Sequence, residues 1–419
     1  MAEAVTTTEL IHEERSSPQP VGGMRLVHLT TIPATLAFLR GQAASLHGMG
    51  FDVHAISSPG PDLTRFGEEE LVAVHAVEMA RRIAPLRDLA ALWRVWRLLR
   101  KLQPSIVDAH TPKAGLIGMV AGTLAGTPVR IYHLHGLRFA TTSGWRRHLL
   151  CLLETVSCAF AHRVLAVSPS VRAIAIEERI CNPARIKVLL RGSIAGVDAA
   201  GRFRPEPGML RDGRRSTLGI PPNSSVIGFV GRLARDKGLS DLATAWQQLR
   251  SNELLRLLVV GSFDSSDPPT SESMNMLRSD PRVHFTGLVP DAAPLYTAMD
   301  VVALPTYREG LSQVALEAAA MALPVVAYRV SGCVDSIMDG VTGTLVPSRD
   351  VNALVQALRR YVADPALRQE HGTAARSRVL AEFRPDDLFQ ALASEYADLV
   401  AANAPDHRRP PPPMLPPQE

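Results

Sequence analysis

The sequence predicts an α/β protein of two doubly wound domains facing a central cleft, and three observations carry that expectation. Short apolar runs alternate with longer amphipathic stretches along most of the chain. The alternation occurs twice, on either side of a stretch without periodicity. The length, 419 residues, suits two cores of roughly 150–200 residues better than one.

The apolar runs of the first half are Met24–Leu29, Asp52–Ile56, Ile106–Ala109, Val129–His133, Arg163–Val167 and Ile186–Leu190. Those of the second half are Ser225–Val230, Leu255–Val260, Arg282–Phe285, Val301–Leu304, Pro324–Ala327 and Gly343–Val346. Strands that alternate with helices form parallel sheets covered on both faces. Between the halves, Asp198–Asn223 is rich in Gly, Pro and Arg and is expected to be the linker. The expected division is an N-terminal domain over 24–205, a second domain over 206–385, and a helix over 386–404 placed to cross back to the first domain. Polar residues 1–23 and Pro-rich residues 405–419 are expected to be disordered tails. Ligands of open parallel sheets bind beyond the carboxyl ends of the strands, so functional residues should follow the apolar runs.

Composition narrows the function. Charged residues make up 21% and apolar residues 46%, an ordinary soluble balance. Cys151, Cys158, Cys181 and Cys333 contain no C-x-x-C pair, which argues against a zinc knuckle or redox dithiol and suits reduced thiols in the cytoplasm. No secretory signal and no spanning apolar segment is legible. Charge is uneven: residues 24–205 hold 23 Lys and Arg against 12 Asp and Glu, while residues 206–419 hold 21 against 25. A basic first half suggests a phosphate-bearing or anionic-surface partner. Its arginines are dispersed over helices and no nucleic-acid motif is present, so nucleic acid is not the expected partner.

Two motifs carry the chemistry. The first runs Thr-Tyr-Arg-Glu-Gly-Leu-Ser-Gln-Val-Ala-Leu-Glu over 306–317. A strand ends near Pro305, Ser312 reads as a helix N-cap, and a helix N-terminus suits a diphosphate. Glu309 precedes that helix. Glu317 lies inside it among apolar neighbours, where a carboxylate is costly without a partner. The second motif runs Val-Ile-Gly-Phe-Val-Gly-Arg-Leu-Ala-Arg-Asp-Lys-Gly over 226–238. Arg232 and Lys237 place two cations at a strand end, where they can neutralise a leaving diphosphate. Gly228 and Gly231 give only G-x-x-G, so a dinucleotide fingerprint is weakly supported.

With Gly-Arg-Leu…Lys-Gly at 231–238, Glu-x7-Glu at 309 and 317, Ala-Leu-Pro-Val-Val at 322–326 and Asp-Gly-Val-Thr-Gly-Thr-Leu-Val-Pro at 339–347, the chain resembles the retaining glycosyltransferase family 4 of GT-B fold, two Rossmann-like domains about a cleft. Ile-Val-Asp-Ala-His-Thr-Pro-Lys-Ala-Gly at 106–115, His-Leu-His-Gly at 133–136 and Gly-Ser-Ile-Ala-Gly-Val-Asp at 192–198 resemble members that build bacterial capsule and exopolysaccharide. The resemblance spans about residues 25–400. One departure is the loop Thr30–Thr35, which stands where many relatives carry Gly-Gly.

The resemblance implies a nucleotide-sugar donor and no metal or other cofactor, in keeping with the absence of an Asp-x-Asp strand end. It implies that Arg232 and Lys237 hold the diphosphate, Glu309 the transferred sugar and Glu317 the ribose. Gly231, Gly310, Leu311 and Ser312 would contact phosphate and sugar, and Gly287, Leu288 and Val289 the base. His135 is expected at the transferred sugar. His110, Lys113 and Arg138 are expected on the acceptor side, with Lys113 at an acceptor phosphate. The helical pattern over Leu86–Gln103 sets Leu89, Leu92, Trp93, Trp96 and Leu99 on one face among five cations and one acid. That pattern suits either a helix lying on an anionic bilayer or a packed helix whose apolar face is core and whose cations are solvated, and Trp145, Arg146 and Arg147 form a second candidate contact.

The expected function is retaining, metal-independent transfer from a nucleotide-diphosphate sugar, UDP-linked by preference, to a polyprenyl-diphosphate-linked or saccharide acceptor at the inner membrane surface. The alternatives are a nucleotide-sugar epimerase or hydrolase on the same fold and a non-catalytic nucleotide-binding interaction protein.

Overall fold

The structure, a computed structural model, describes residues 23–403 apart from 83 and 207. The expected tails therefore lie outside the described residues, save Gly23.

The first half folds as seven parallel strands: β1 Arg25–Leu29, β2 Asp52–Ser57, β3 Ala73–Ala76, β4 Ile106–His110, β5 Val129–Leu134, β6 Arg163–Ala166 and β7 Ile186–Lys187. Their spatial order is β3-β2-β1-β4-β5-β6-β7. The second half gives six: β8 Ser225–Val230, β9 Leu255–Val260, β10 Val283–Gly287, β11 Val301–Leu304, β12 Val325–Tyr328 and β13 Gly343–Val346. Their order is β10-β9-β8-β11-β12-β13, also parallel throughout. Each sheet is wound outward in two directions from its first strand. The order reverses between β1 and β4 and between β8 and β11, where such sheets open a crevice for ligand. Apolar clusters cover both faces of each sheet, which explains why the central strands read as continuous apolar runs.

Two elements depart from the sequence reading. Strand β3 was not expected, because its four residues are only half-buried at a sheet edge and give no apolar run. The stretch expected to be linker contains a helix, Gly208–Thr217. Its sequence is mostly polar, and it is anchored by Arg215. That buried guanidinium donates to Asp300 at 2.8 Å and to the carbonyls of Ala298, Pro222 and Ser224. Every donor that it turns inward meets an oxygen, which is what a buried charge requires.

The last helix, Pro385–Asn403, packs on the N-terminal sheet. Leu392, Tyr396 and Leu399 join the cluster that covers β1, β4 and β5. Glu395 accepts from Arg163 at 2.7 Å and pairs with Lys187. The helix thus ties the end of the second half to the first.

Candidate active site

The carboxyl ends of β8 and β11 carry both motifs. Gly231 follows β8 with φ 145°, and a Cβ built on it would meet nothing within 4 Å, so open space faces the backbone there. Arg232 leaves this turn half-exposed, paired with Asp264 and reaching Asp236 at 3.3 Å. The chain then makes a tight turn over Arg235–Lys237 and starts the helix Leu239–Leu249 at Gly238, φ 70°. Only glycine fits, since a Cβ at Gly238 would sit 1.8 Å from the Pro305 carbonyl oxygen. That close approach brings the loop after β8 onto the loop after β11. Lys237 Nζ donates to Glu309 Oε1 at 2.6 Å, with both side chains mostly buried.

Ser312 caps the helix Gln313–Ala320, its Oγ accepting from Ala315 N at 3.2 Å. The sequence reading assigned Gly310 to close approach by a ligand. Gly310 lines the cleft and also closes on the opposite domain: a Cβ there would lie 1.8 Å from the His135 carbonyl oxygen. The Gly310 carbonyl also accepts from Ser168 Oγ at 2.7 Å. Glu317 is not among the residues lining the cleft. It accepts from Tyr296 OH at 2.8 Å, and burial raises its carboxyl to about 7 against the pull of that bond. Gly287 ends the edge strand β10, Leu288 and Val289 follow it, and none of the three is among the residues lining the cleft.

The N-terminal wall is formed by loops after β1, β5 and β6. His135 lines the cleft and stacks on Phe38, with ring centroids 6.1 Å apart and planes 25° apart. Burial lowers the His135 imidazole to about 4, so it is neutral at physiological pH. Its Nε2 lies 3.1 Å from Nδ1 of His110, which is buried behind it rather than presented to the cleft. Lys113 does not offer a free charge on the acceptor side. Its ammonium donates to Asp88 at 2.7 Å and to the Arg82 carbonyl at 2.5 Å. Arg138 stands close enough to Arg308, Arg81 and Arg232 for their repulsion to add to burial in lowering its pKa.

Between these walls lies a cleft of ≈ 390 Å³, bordered by Phe38, His135, Arg232, Lys237, Arg308 and Glu309 among others. The two domains are clasped beside it. Ser170 bonds Asp335, accepts from Gly332 N at 2.8 Å, and Gln313 Nε2 donates to the Gly196 carbonyl at 3.0 Å. Sequence reasoning singled out neither Arg308 nor Phe38. Arg308 donates to Asp236 at 3.0 Å and adds a third cation to the floor. It immediately precedes Glu309 in the strand-to-helix loop, and that adjacency was a usable signal. Phe38 stays exposed on the turn Pro33–Leu39, three residues beyond the loop that stands in place of a Gly-Gly, and nothing in its spacing marks it.

Comparisons with known proteins bear on the family and the fold. Residues 36–192 match the "Glycosyl transferase 4-like domain" model, and residues 224–364 match "Glycosyl transferases group 1". The capsular polysaccharide biosynthesis glycosyltransferase CapM of Staphylococcus aureus is 32% identical over 373 residues, 89% of this chain and 96% of CapM. An Escherichia coli UDP-Gal:α-D-GlcNAc-diphosphoundecaprenol α-1,3-galactosyltransferase is 26% identical over 356 residues, 84% of this chain and 90% of that one. The crystal structure of Anabaena HepE in complex with UDP and glucose superposes with a TM-score of 0.76 over 90% of this chain and all of that one, at 19% identity.

Proposed function

The chain belongs to glycosyltransferase family 4, with the GT-B fold, and on that premise we propose that it moves a sugar from a UDP-sugar to a polyprenyl-diphosphate-linked saccharide in cell-surface polysaccharide synthesis. The observation that carries this reading is the Lys237–Glu309 pair, with Arg232 and Arg308 beside it, at the switch point of the second sheet. These cations supply the charge that a departing nucleoside diphosphate needs, fixed in place before the bond breaks. Glu309 holds Lys237 at the cleft floor and retains one carboxylate oxygen for a sugar hydroxyl. Neutral His135 faces the same space from the other domain. Attack and departure then occur on one face of the sugar, with the leaving phosphate taking the acceptor proton, and the anomeric configuration is retained. The preference for a lipid-borne acceptor follows the substrate named for the Escherichia coli relative and the basic first domain.

The test is a panel of UDP- and GDP-sugars incubated with the purified protein, with and without a polyprenyl-diphosphate saccharide extract, reading free nucleotide and retained product linkage. Transfer that requires the extract supports the proposal. Equal donor consumption without any acceptor points to the hydrolase or epimerase reading. In this mechanism the diphosphate is neutralised by side chains, so turnover should not require added Mg2+ or Mn2+; strict dependence on either would overturn that part.

A further inference from the structure

The donor cleft leaves unused a group of ionisable side chains packed behind it. His28 stands on β1, Asp108 and His110 on β4, and His133 on β5. These strands are neighbours, and the register pairs His28 with Asp108 and His110 with His133. Paired residues in parallel strands share a face, and so do residues two apart. All four side chains therefore project from one face of the sheet, where their relative exposures are 0%, 0%, 1% and 5%.

Their atoms converge. Asp108 Oδ2 lies 3.8 Å from His28 Nδ1, 3.7 Å from His110 Nε2 and 3.6 Å from His133 Nε2. His28 Nδ1 and His110 Nε2 are 3.1 Å apart. A tetrahedral zinc-class ion with bonds of about 2.0–2.1 Å spaces its ligand atoms about 3.3–3.4 Å from one another. The separations here scatter around that value. The geometry points to a buried site for a divalent first-row transition ion of the zinc class, ligated by His28, Asp108 and His110, whose ligand atoms all lie within 4.8 Å of one another.

Hydrogen bonding within the protein satisfies the cluster only in part: His28 Nδ1 and His110 Nε2 meet each other, and Asp108 Oδ2 accepts from Tyr396. Both ring nitrogens of His133, Nε2 of His28 and Oδ1 of Asp108 have no partner. A void of ≈ 20 Å³ beside Gln42 and His133 has room for one water, but His28, Asp108 and His110 do not line it. Two imidazoles and a carboxylate suit zinc better than calcium or magnesium, which take oxygen ligands. The surroundings also resemble the outer shell that metal ligands need. Tyr396 donates to the Asp108 carboxylate from the crossing helix, and the far nitrogen of His110 meets His135 at 3.1 Å. A bound ion would thus pin two strands and the crossing helix together, and would fix the tautomer of the histidine that faces the cleft. The ion is separate from the diphosphate chemistry, because none of its three protein ligands lines the donor cleft.

The experiment uses the full chain without a histidine tag, purified after growth with zinc and passed over chelating resin. Metal analysis should find about one ion per chain. His28→Gln and Asp108→Asn should fall to background while keeping the circular dichroism of the wild type. Because either variant can fail to fold, the wild type is also stripped with chelator in mild denaturant, refolded, and titrated with Co2+. A saturating visible absorption band of four-coordinate cobalt, displaced by Zn2+, supports the site. A wild type with no ion and no cobalt band overturns it, as does a folded His28→Gln chain that keeps a full equivalent of metal.

Discussion

Lys237 and Glu309 are 72 positions apart in sequence and 2.6 Å apart in space, an ion pair that ties the loop after β8 to the loop after β11. Those loops follow two strands that are direct neighbours, which brings them to the same end of the sheet. Each charge holds the other where a diphosphate and a sugar would meet.

Replacing either cation of the floor should therefore reduce transfer while sparing the fold. Lys237→Ala removes a stabiliser of leaving-group charge and leaves Glu309 unpaired. Arg232→Ala removes the half-exposed cation beside it. Loss of one such group typically costs about 2.7–4 kcal/mol of barrier, a fall of roughly 10²–10³ in kcat. Steady-state kinetics with a saturating acceptor checks this, and near-normal rates in both variants would reject the assignment.

Gly310→Ala should separate domain closure from donor binding. The added Cβ would sit 1.8 Å from the His135 carbonyl oxygen and 2.7 Å from its carbon, so the two loops must part. Both atoms belong to backbone and cannot swing aside. Misplacement of about 1 Å between reacting groups can cost on the order of 10² in rate. The expected result is a large loss of kcat with nucleotide affinity retained, read by turnover and by calorimetric binding of UDP. Equal loss of both would place the glycine in the donor site itself.

The strands were legible because their signals are local. Val226–Val230 and Val301–Leu304 are buried on both faces and read as apolar runs. The cap at Ser312 was legible for the same reason, since its partner Ala315 is three residues on. What the sequence concealed is set by distant partners. Helix Gly208–Thr217 depends on Arg215 reaching Asp300, 85 residues away. The Ser170–Asp335 clasp spans 165 residues, and Gly310 closes on a carbonyl of the other domain. The histidine cluster has the same cause. His28, His110 and His133 are scattered in the chain and gathered only by strand order.

Glu154 should make stability depend on pH. It lies in the helix Trp145–Phe160, buried, and accepts from Tyr132 OH at 2.7 Å. Burial raises its carboxyl from 4.5 to about 7, against the opposing effect of that bond. The folded chain thus holds this proton more tightly than the unfolded chain. The contribution is fully present below pH 4.5 and is lost as pH climbs through 7. Glu154→Gln keeps an acceptor for Tyr132 and carries no proton to lose. Variant and wild type should unfold alike in urea near pH 4.5. At pH 8 the variant should be more stable, by up to about 3 kcal/mol at 1.36 kcal/mol per pKa unit. A difference that does not change with pH would refute the assignment.

The helix Pro85–Leu102 should bring the first domain to an anionic membrane, and the structure divides its apolar residues into two sets. Ala91, Val95 and Leu99 are buried, and Leu92 and Trp96 pack against that core. Trp96 also donates to the Leu124 carbonyl at 3.3 Å, so its role is structural. Leu86, Leu89 and Trp93 remain exposed, at 85%, 64% and 51%, and Arg97 stacks over the Trp93 ring at 4.7 Å. Trp145 is 70% exposed with Arg146 beside its ring. No helix among the described residues is long and apolar enough to cross a membrane, so any contact made by these helices is at the surface. Anionic lipid attracts basic segments by roughly 1 kcal/mol per Lys or Arg, screened beyond about 8 Å at physiological salt. Flotation with phosphatidylglycerol vesicles should therefore recover the protein at low salt and release it at high salt. Changing Arg94, Arg97, Arg100 and Lys101 together to glutamine should weaken binding. Trp93→Ala should weaken it further without loss of thermal stability, because that ring is outside the core, whereas Trp96→Ala should destabilise the domain. If the wild type ignores these vesicles at low salt, the exposed ridge is not a membrane contact, and an acceptor free in solution becomes the better reading.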